Sequence, residues 1–168
     1  MVASQSKTGK TEVATRLIKA LDALGYEVGF VKSDGHGFTM DSEGTDTWKA
    51  DNAGAKAVAI AGPTGYAILN KTEGPTDLMT LAEQLPVDIV VMETRSRGVE
   101  PIIEVVTEAP TNFENCITPV DKLLAVVYMN DNEAFSQENV LPSDGVAVFS
   151  LHDIESLANW LVKEVCFN

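Results

Sequence analysis

Gly9-Lys10-Thr11, within the stretch ASQSKTGKTE at residues 3 to 12, has the composition of the end of a phosphate-binding loop. The full pattern, G-x-x-x-x-G-K-[ST], divides the work: backbone N–H groups enclose phosphate oxygens, the lysine reaches the terminal phosphates, and the hydroxyl binds Mg²⁺. A helix starting here would also turn its positive end toward the anion. The candidate nucleotide-contacting residues are therefore Ser6, Lys7, Thr8, Gly9, Lys10, Thr11 and Glu12. Ser4 stands where the pattern has its first glycine, at a cost of ~1–2 kcal/mol if that position is left-handed. Glu12 puts a carboxylate in the first helical turn, which repels an arriving phosphate. Weakened but not abolished nucleotide affinity is the expectation.

Such a loop needs a second carboxylate for the metal, at the end of an apolar strand. VDIVVME, residues 87 to 93, supplies Glu93 there, so Thr11 and Glu93 are the candidate Mg²⁺ ligands. Asp88 lies at the other end of that strand, about 16 Å away. Periodicity alone leaves open whether Glu93 faces Thr11 or is a solvated strand-end carboxylate. In SDGHGFTMDSEGTDT, residues 33 to 47, Asp34, His36, Asp41 and Asp46 crowd around glycines. Two readings stay open: a switch-like loop over the γ-phosphate and Mg²⁺, with Asp34 or Asp46 as catalytic base, or a solvated acidic loop. A zinc role for His36 is disfavoured, because no second histidine or cysteine lies nearby. His152 reads as serving the start of the last helix.

The elements that must hold these groups alternate. Val13, Ala14, Leu17, Ile18, Leu21 and Leu24 share one face of a helix over 11–24, and Gly25 follows as its left-handed cap. Residues 26–32, 55–61, 65–70, 87–93, 101–106, 122–129 and 145–150 read as strands, and 76–85 and 153–165 as helices. The nearly continuous apolar run at 87–93 suits a strand covered on both faces. The fold class is α/β, a mostly parallel sheet with helices on both faces. Only Met1, Val2 and Ala3 precede the loop, against the ~5–6 residues common in a strand, so a truncated first strand is expected.

Length of 168 residues and 45% apolar composition fit one domain over 1–168. Twenty-five acidic against twelve basic residues, a net charge of −13, argue against nucleic acid or an anionic membrane as partner. A bound phosphate must be held by local geometry. Cys116 and Cys166 lack C-x-x-C spacing, and no run reaches the ~18 apolar residues of a membrane helix, which fits a cytoplasmic protein.

Taken together, these motifs resemble the molybdopterin-guanine dinucleotide biosynthesis protein B family (MobB). The segment VKSDGHGFTMDSEGTDTWKADNAGAKAV, residues 31 to 58, is similar to that family's V-K-H-x-x-H-x-F-x-x-D-x-x-G-x-D-[ST]-W/Y…A-G-A block, agreeing at Lys32, His36, Phe38, Asp41, Gly44, Asp46, Thr47, Trp48 and 53–55. DIVVMETRSRGVEPIIEVV matches its strand-and-proline segment at Asp88, Glu93 and Pro101. The resemblance implies a doubly wound P-loop fold, GTP with Mg²⁺, at most weak GTPase activity, a homodimer, and partnership with the guanylyltransferase that joins GMP to molybdopterin or with molybdopterin-bearing proteins. Ser33, Thr94-Arg95, Ser4 and Glu12 depart from the pattern, and Arg95 and Arg97 could offset the charge of Glu12. No N-K-x-D is present, so Asn130 and Asp131 in YMNDN, residues 128 to 132, are the candidate base contacts. A small P-loop kinase or NTPase acting on another metabolite, and a nucleotide-free interaction module with a degenerate loop, are the alternatives.

Overall fold

The computed structural model describes residues 2–3, 8–94, 101–110, 112–113, 116–130 and 145–165. Ser4, Ser6, Lys7, Arg95, Arg97, Asp131 and Cys166 lie outside them. Two compact units are distinguished, one formed by 1–33 with 78–168 and the other by 34–77.

The first unit is built on six strands: β1 (Val2–Ala3), β2 (Val28–Lys32), β5 (Ile89–Thr94), β6 (Ile102–Glu108), β7 (Leu123–Asn130) and β8 (Ala147–Ser150). They lie in the order β2-β5-β1-β6-β7-β8, and every pairing is parallel. Parallel strands need crossovers, and among the described residues helices lie in those from β1 to β2 and from β2 to β5. Helix α1 (Lys10–Ala23) leaves β1, α3 (Leu78–Glu83) precedes β5 and packs on β2, and α4 (Ile154–Val165) follows β8. The pleat sorts the core. Val2, Val91, Ile103, Val105, Ala125 and Val127 face Val13, Leu17 and Leu21 of α1 and Leu157 of α4. Ala3, Ile102, Leu123, Val126 and Val146 form the second cluster. Neighbouring residues of one strand thus serve opposite clusters, as period-two geometry requires.

Helix α1 runs as its apolar spacing predicts and ends where Gly25, at φ 92°, turns left-handed and donates to the Asp22 carbonyl at 2.9 Å. At β1 the strand order reverses: β2 and β5 lie to one side, β6 to β8 to the other. The carboxyl ends at such a reversal form the crevice where open α/β sheets bind ligands. Ala3, Lys32, Thr94, Glu108 and Asn130 mark that edge.

The second unit holds α2 (Asp46–Asn52) and an antiparallel hairpin, β3 (Ala57–Gly62) with β4 (Gly65–Asn70). The strands expected at 55–61 and 65–70 form, but as their own sheet. Gly62 pairs with Gly65 across the two-residue loop Pro63-Thr64. Part of the polar stretch over 33–47 begins α2, where the Thr45 hydroxyl caps the Trp48 amide at 3.2 Å.

Candidate functional site

Gly9 is the hinge from loop to helix. Its φ of 90° is left-handed, and its carbonyl accepts the Val13 N–H at 3.0 Å, starting the helical ladder. Gly9, the residue at the cap position, has no side chain to bond the first-turn amides. A Cβ at residue 9 would lie 2.8 Å from Met129 Sδ and displace the end of that flexible side chain, while the φ of 90° itself calls for glycine. Lys10 starts the helix and is buried, with 7% of its surface exposed.

Thr11 and Glu93 meet. The Thr11 hydroxyl donates to Glu93 Oε2 at 2.9 Å, across 82 residues of sequence. The sheet register makes this contact: Glu93 is level with Val2 in β1 on one side and with Lys32 in β2 on the other. Glu93 is itself buried at 7% exposure, and Lys32 Nζ approaches its other oxygen at 3.7 Å. A buried carboxylate needs such partners. Sequence reading missed the part played by Lys32, although its place at the end of the strand before the acidic stretch was visible. Hard oxygen donors at the mouth of a helix fit a Mg²⁺ ion, and the αL glycine and first-turn amides fit a phosphate. Ser33 ties in beside them through its N–H to the Glu93 carbonyl at 2.9 Å.

Glu12 is exposed and pairs with Arg16 one turn on, Nε to Oε1 at 2.7 Å. The repulsion expected from Glu12 is thereby reduced on the helix itself. At the far end of the crevice Asn130 donates from Nδ2 to Glu108 Oε1 at 2.8 Å, joining the tips of β7 and β6. Asp88 sits at the opposite end of β5, accepting the Glu27 N–H at 2.8 Å, and so has a structural task.

In the second unit the acidic residues are exposed and engaged locally. Asp34 accepts the His36 N–H at 2.9 Å, and Asp46 pairs with Lys49 at 3.1 Å. Asp41 accepts from Thr45 Oγ1 at 2.8 Å, and hydroxyl donors, Thr47 first and Thr45 second, hold its carboxyl below the ordinary value. Among the described residues, no three His, Cys, Asp or Glu side chains converge as a metal-binding group. His152 lies in the turn before α4, where its backbone N–H donates to Ser150 Oγ at 3.2 Å, so the capping side chain at this start is that of Ser150.

A second buried carboxylate, Glu104 of β6, accepts the N–H groups of Ile117 and Thr118, both at 2.8 Å, and so fixes the loop entering β7. Burial, and then the nearby Glu104 charge, push the Cys116 thiol up to about 11.

Comparison with known proteins bears on this geometry. The family profile of molybdopterin guanine dinucleotide synthesis protein B matches residues 1–129. A molybdopterin-guanine dinucleotide biosynthesis adapter protein of Escherichia coli is 27% identical over 167 residues, 96% of this chain and 89% of that protein. One of Haemophilus influenzae is 33% identical over 95 residues; there the match spans about half of each chain, 55% of this one and 53% of the relative. Among solved structures, Bacillus subtilis MobB superposes with a TM-score of 0.68 at 20% identity, covering 96% of each chain. A MobB homologue of Bacillus stearothermophilus gives 0.62 at 20% identity over 99% of this chain and 97% of that one. These structures share the mostly parallel α/β fold found here. No helix among the described residues is long and apolar enough to cross a membrane.

Proposed function

The chain belongs to the molybdopterin guanine dinucleotide synthesis protein B family, and we propose that it acts, as its named relatives do, as an adapter in molybdopterin-guanine dinucleotide biosynthesis. In this reading it is a cytoplasmic protein that binds GTP with Mg²⁺ and assists the guanylyltransferase that joins GMP to molybdopterin. The contact between Thr11 and Glu93 carries the proposal, because it unites the loop hydroxyl and the strand carboxylate that such a metal requires. Lys10 and the amides of residues 8 to 11 hold the phosphates, and Thr11 and Glu93 hold Mg²⁺. Asn130 faces the base. The stretch from Asp34 through His36 to Asp46 serves phosphate or partner recognition, and any hydrolysis, with Asp34 or Asp46 as base, is weak.

The reading includes a homodimer. An isolated two-stranded ribbon is marginal in water, yet β3–β4 exposes Ile60 on one face and Tyr66 and Ile68 on the other. A second copy covering them relieves that exposure. Calorimetric titration with Mg-GTP and Mg-ATP tests the nucleotide reading. Heat with Mg-GTP, lost in Lys10→Ala, is expected; no heat with either nucleotide up to millimolar concentration refutes it. Sedimentation of Ile68→Lys beside the parent chain tests the dimer, which should weaken.

A further inference from the structure

We infer, on the basis of the nucleotide site proposed above, that Lys32 is a second phosphate-contacting lysine. It pairs with the Glu93 carboxylate in this structure and, once nucleotide and Mg²⁺ bind, turns to the outermost phosphate and so separates a triphosphate from a diphosphate.

Lys32 is the last residue of β2, at the carboxyl edge of the sheet. Glu93 lies level with it in β5, and Val2 lies level with Glu93 in β1. Adjacent strands are ~4.8 Å apart, so the backbone of Lys32 stands ~10 Å from the strand that leads to the loop. The long lysine stem covers much of that span, and Nζ already lies 3.7 Å from Glu93 Oε1. The Thr11 hydroxyl meets the other oxygen of the same carboxylate at 2.9 Å. Ammonium and loop hydroxyl thus flank one carboxylate.

The pair is too loose for a purely structural clasp. An ammonium hydrogen-bonded to a carboxylate sits ~2.7–2.9 Å away, well inside the 3.7 Å found here. The lysine side chain is 49% exposed and that of Glu93 only 9%. The cation therefore stays partly hydrated and able to move, while its partner is fixed by Thr11 and by the sheet. Lys32 and a divalent ion compete for the same carboxylate, and two cations a few ångströms apart repel. Displaced, Lys32 finds its strongest partner in the terminal phosphate that shares the metal. In a chain of net charge −13, a phosphate at this edge must be met by cations set in place locally. Lys10 approaches from the loop, at the start of α1, and Lys32 from the neighbouring strand on the other flank of Glu93. A diphosphate lacks the outermost group and gains little from Lys32.

The test titrates Mg-GTP and Mg-GDP calorimetrically into the parent chain, Lys32→Met and Lys32→Arg, with thermal midpoints read beside them. Lys32→Met should weaken Mg-GTP at least ~tenfold and Mg-GDP less than ~threefold, and without nucleotide it should melt within ~3 °C of the parent. Lys32→Arg, which keeps the charge, should hold the GTP-to-GDP affinity ratio within ~threefold of the parent's. Lys32→Gln repeats the comparison should Lys32→Met fail to fold. An unchanged ratio on removal of the charge overturns the inference, whether both affinities fall or neither does, and leaves Lys32 a structural partner of Glu93. A parent chain that binds neither nucleotide removes the nucleotide site itself, an outcome distinct from a site that binds both and ignores residue 32.

Discussion

Glu93→Gln separates metal binding from folding. The substitution keeps the side-chain shape and leaves one carbonyl oxygen for the Thr11 hydroxyl, now 2.9 Å from Oε2. Replacing a charged acceptor by a neutral one weakens that bond by ~1 kcal/mol. The pair with Lys32 is long, 3.7 Å, and the lysine side chain is 49% exposed, so solvent screening leaves it ~0–1 kcal/mol. Against these losses, a buried amide is easier to desolvate than a buried carboxylate, by an amount of the same order. Net stability should therefore change by no more than ~1 kcal/mol, or ~2–4 °C in a domain of this size. Nucleotide binding should respond differently. The increment in GTP affinity between EDTA and millimolar Mg²⁺ should shrink at least tenfold, which is about 1.4 kcal/mol, while binding in EDTA stays near that of the parent. Titration calorimetry with and without Mg²⁺, beside a thermal scan, reads both. An unchanged Mg²⁺ increment refutes the assignment of Glu93 as a metal ligand. A fall of more than ~8 °C shows that its burial is mainly structural.

Gly9→Ala meets both a φ of 90° and the Met129 thioether, and should cost ~2 kcal/mol in urea unfolding; Met129→Ala in the same chain should return part of that loss, giving a coupling energy of ~1 kcal/mol. Removing the Glu104 carboxylate orphans the amides of Ile117 and Thr118, so Glu104→Ala should lose ~3 kcal/mol, and Glu104→Gln, which retains one acceptor oxygen, about half as much by the same assay. Cys116, with its thiol pushed from 9.0 to about 11, should react with iodoacetamide far more slowly at pH 8 than it does in urea. Because the folded protein retains that proton longer than the unfolded chain, this thiol should favour the fold below pH 9 and lose that contribution as pH rises toward 11.

The first unit was legible because its signals were local and redundant. The run at 87–93 announced a strand buried on both faces, and β5 occupies the inside of the sheet. The apolar stripe of α1 and the glycine after it fixed a helix whose observed bounds, Lys10–Ala23, differ from the expected ones by one residue at each end. The contact between Thr11 and Glu93 was reachable only as a hypothesis. Hydrophobic period reports the face a residue occupies, but the neighbour it meets depends on strand order, and no local pattern encodes that. Helix α2 escaped notice because it buries no residue, and a helix without a buried stripe leaves no period to read; its one signal was the capping Thr45. The antiparallel hairpin was read as strands without its pairing, although Gly-Pro-Thr-Gly between the two runs was a turn signature. Arg16 as partner of Glu12 follows from a spacing of four on a helix and could have been read directly.

Because Val2, Glu93 and Lys32 stand abreast in three adjoining strands, the carboxylate that meets Thr11 is located by counting residues as much as by their chemistry. A single deletion within residues 89–92 would swing Glu93 to the opposite side of the sheet while leaving composition and hydropathy almost untouched. The contact between Thr11 and Glu93 is accordingly sensitive to any change in strand length.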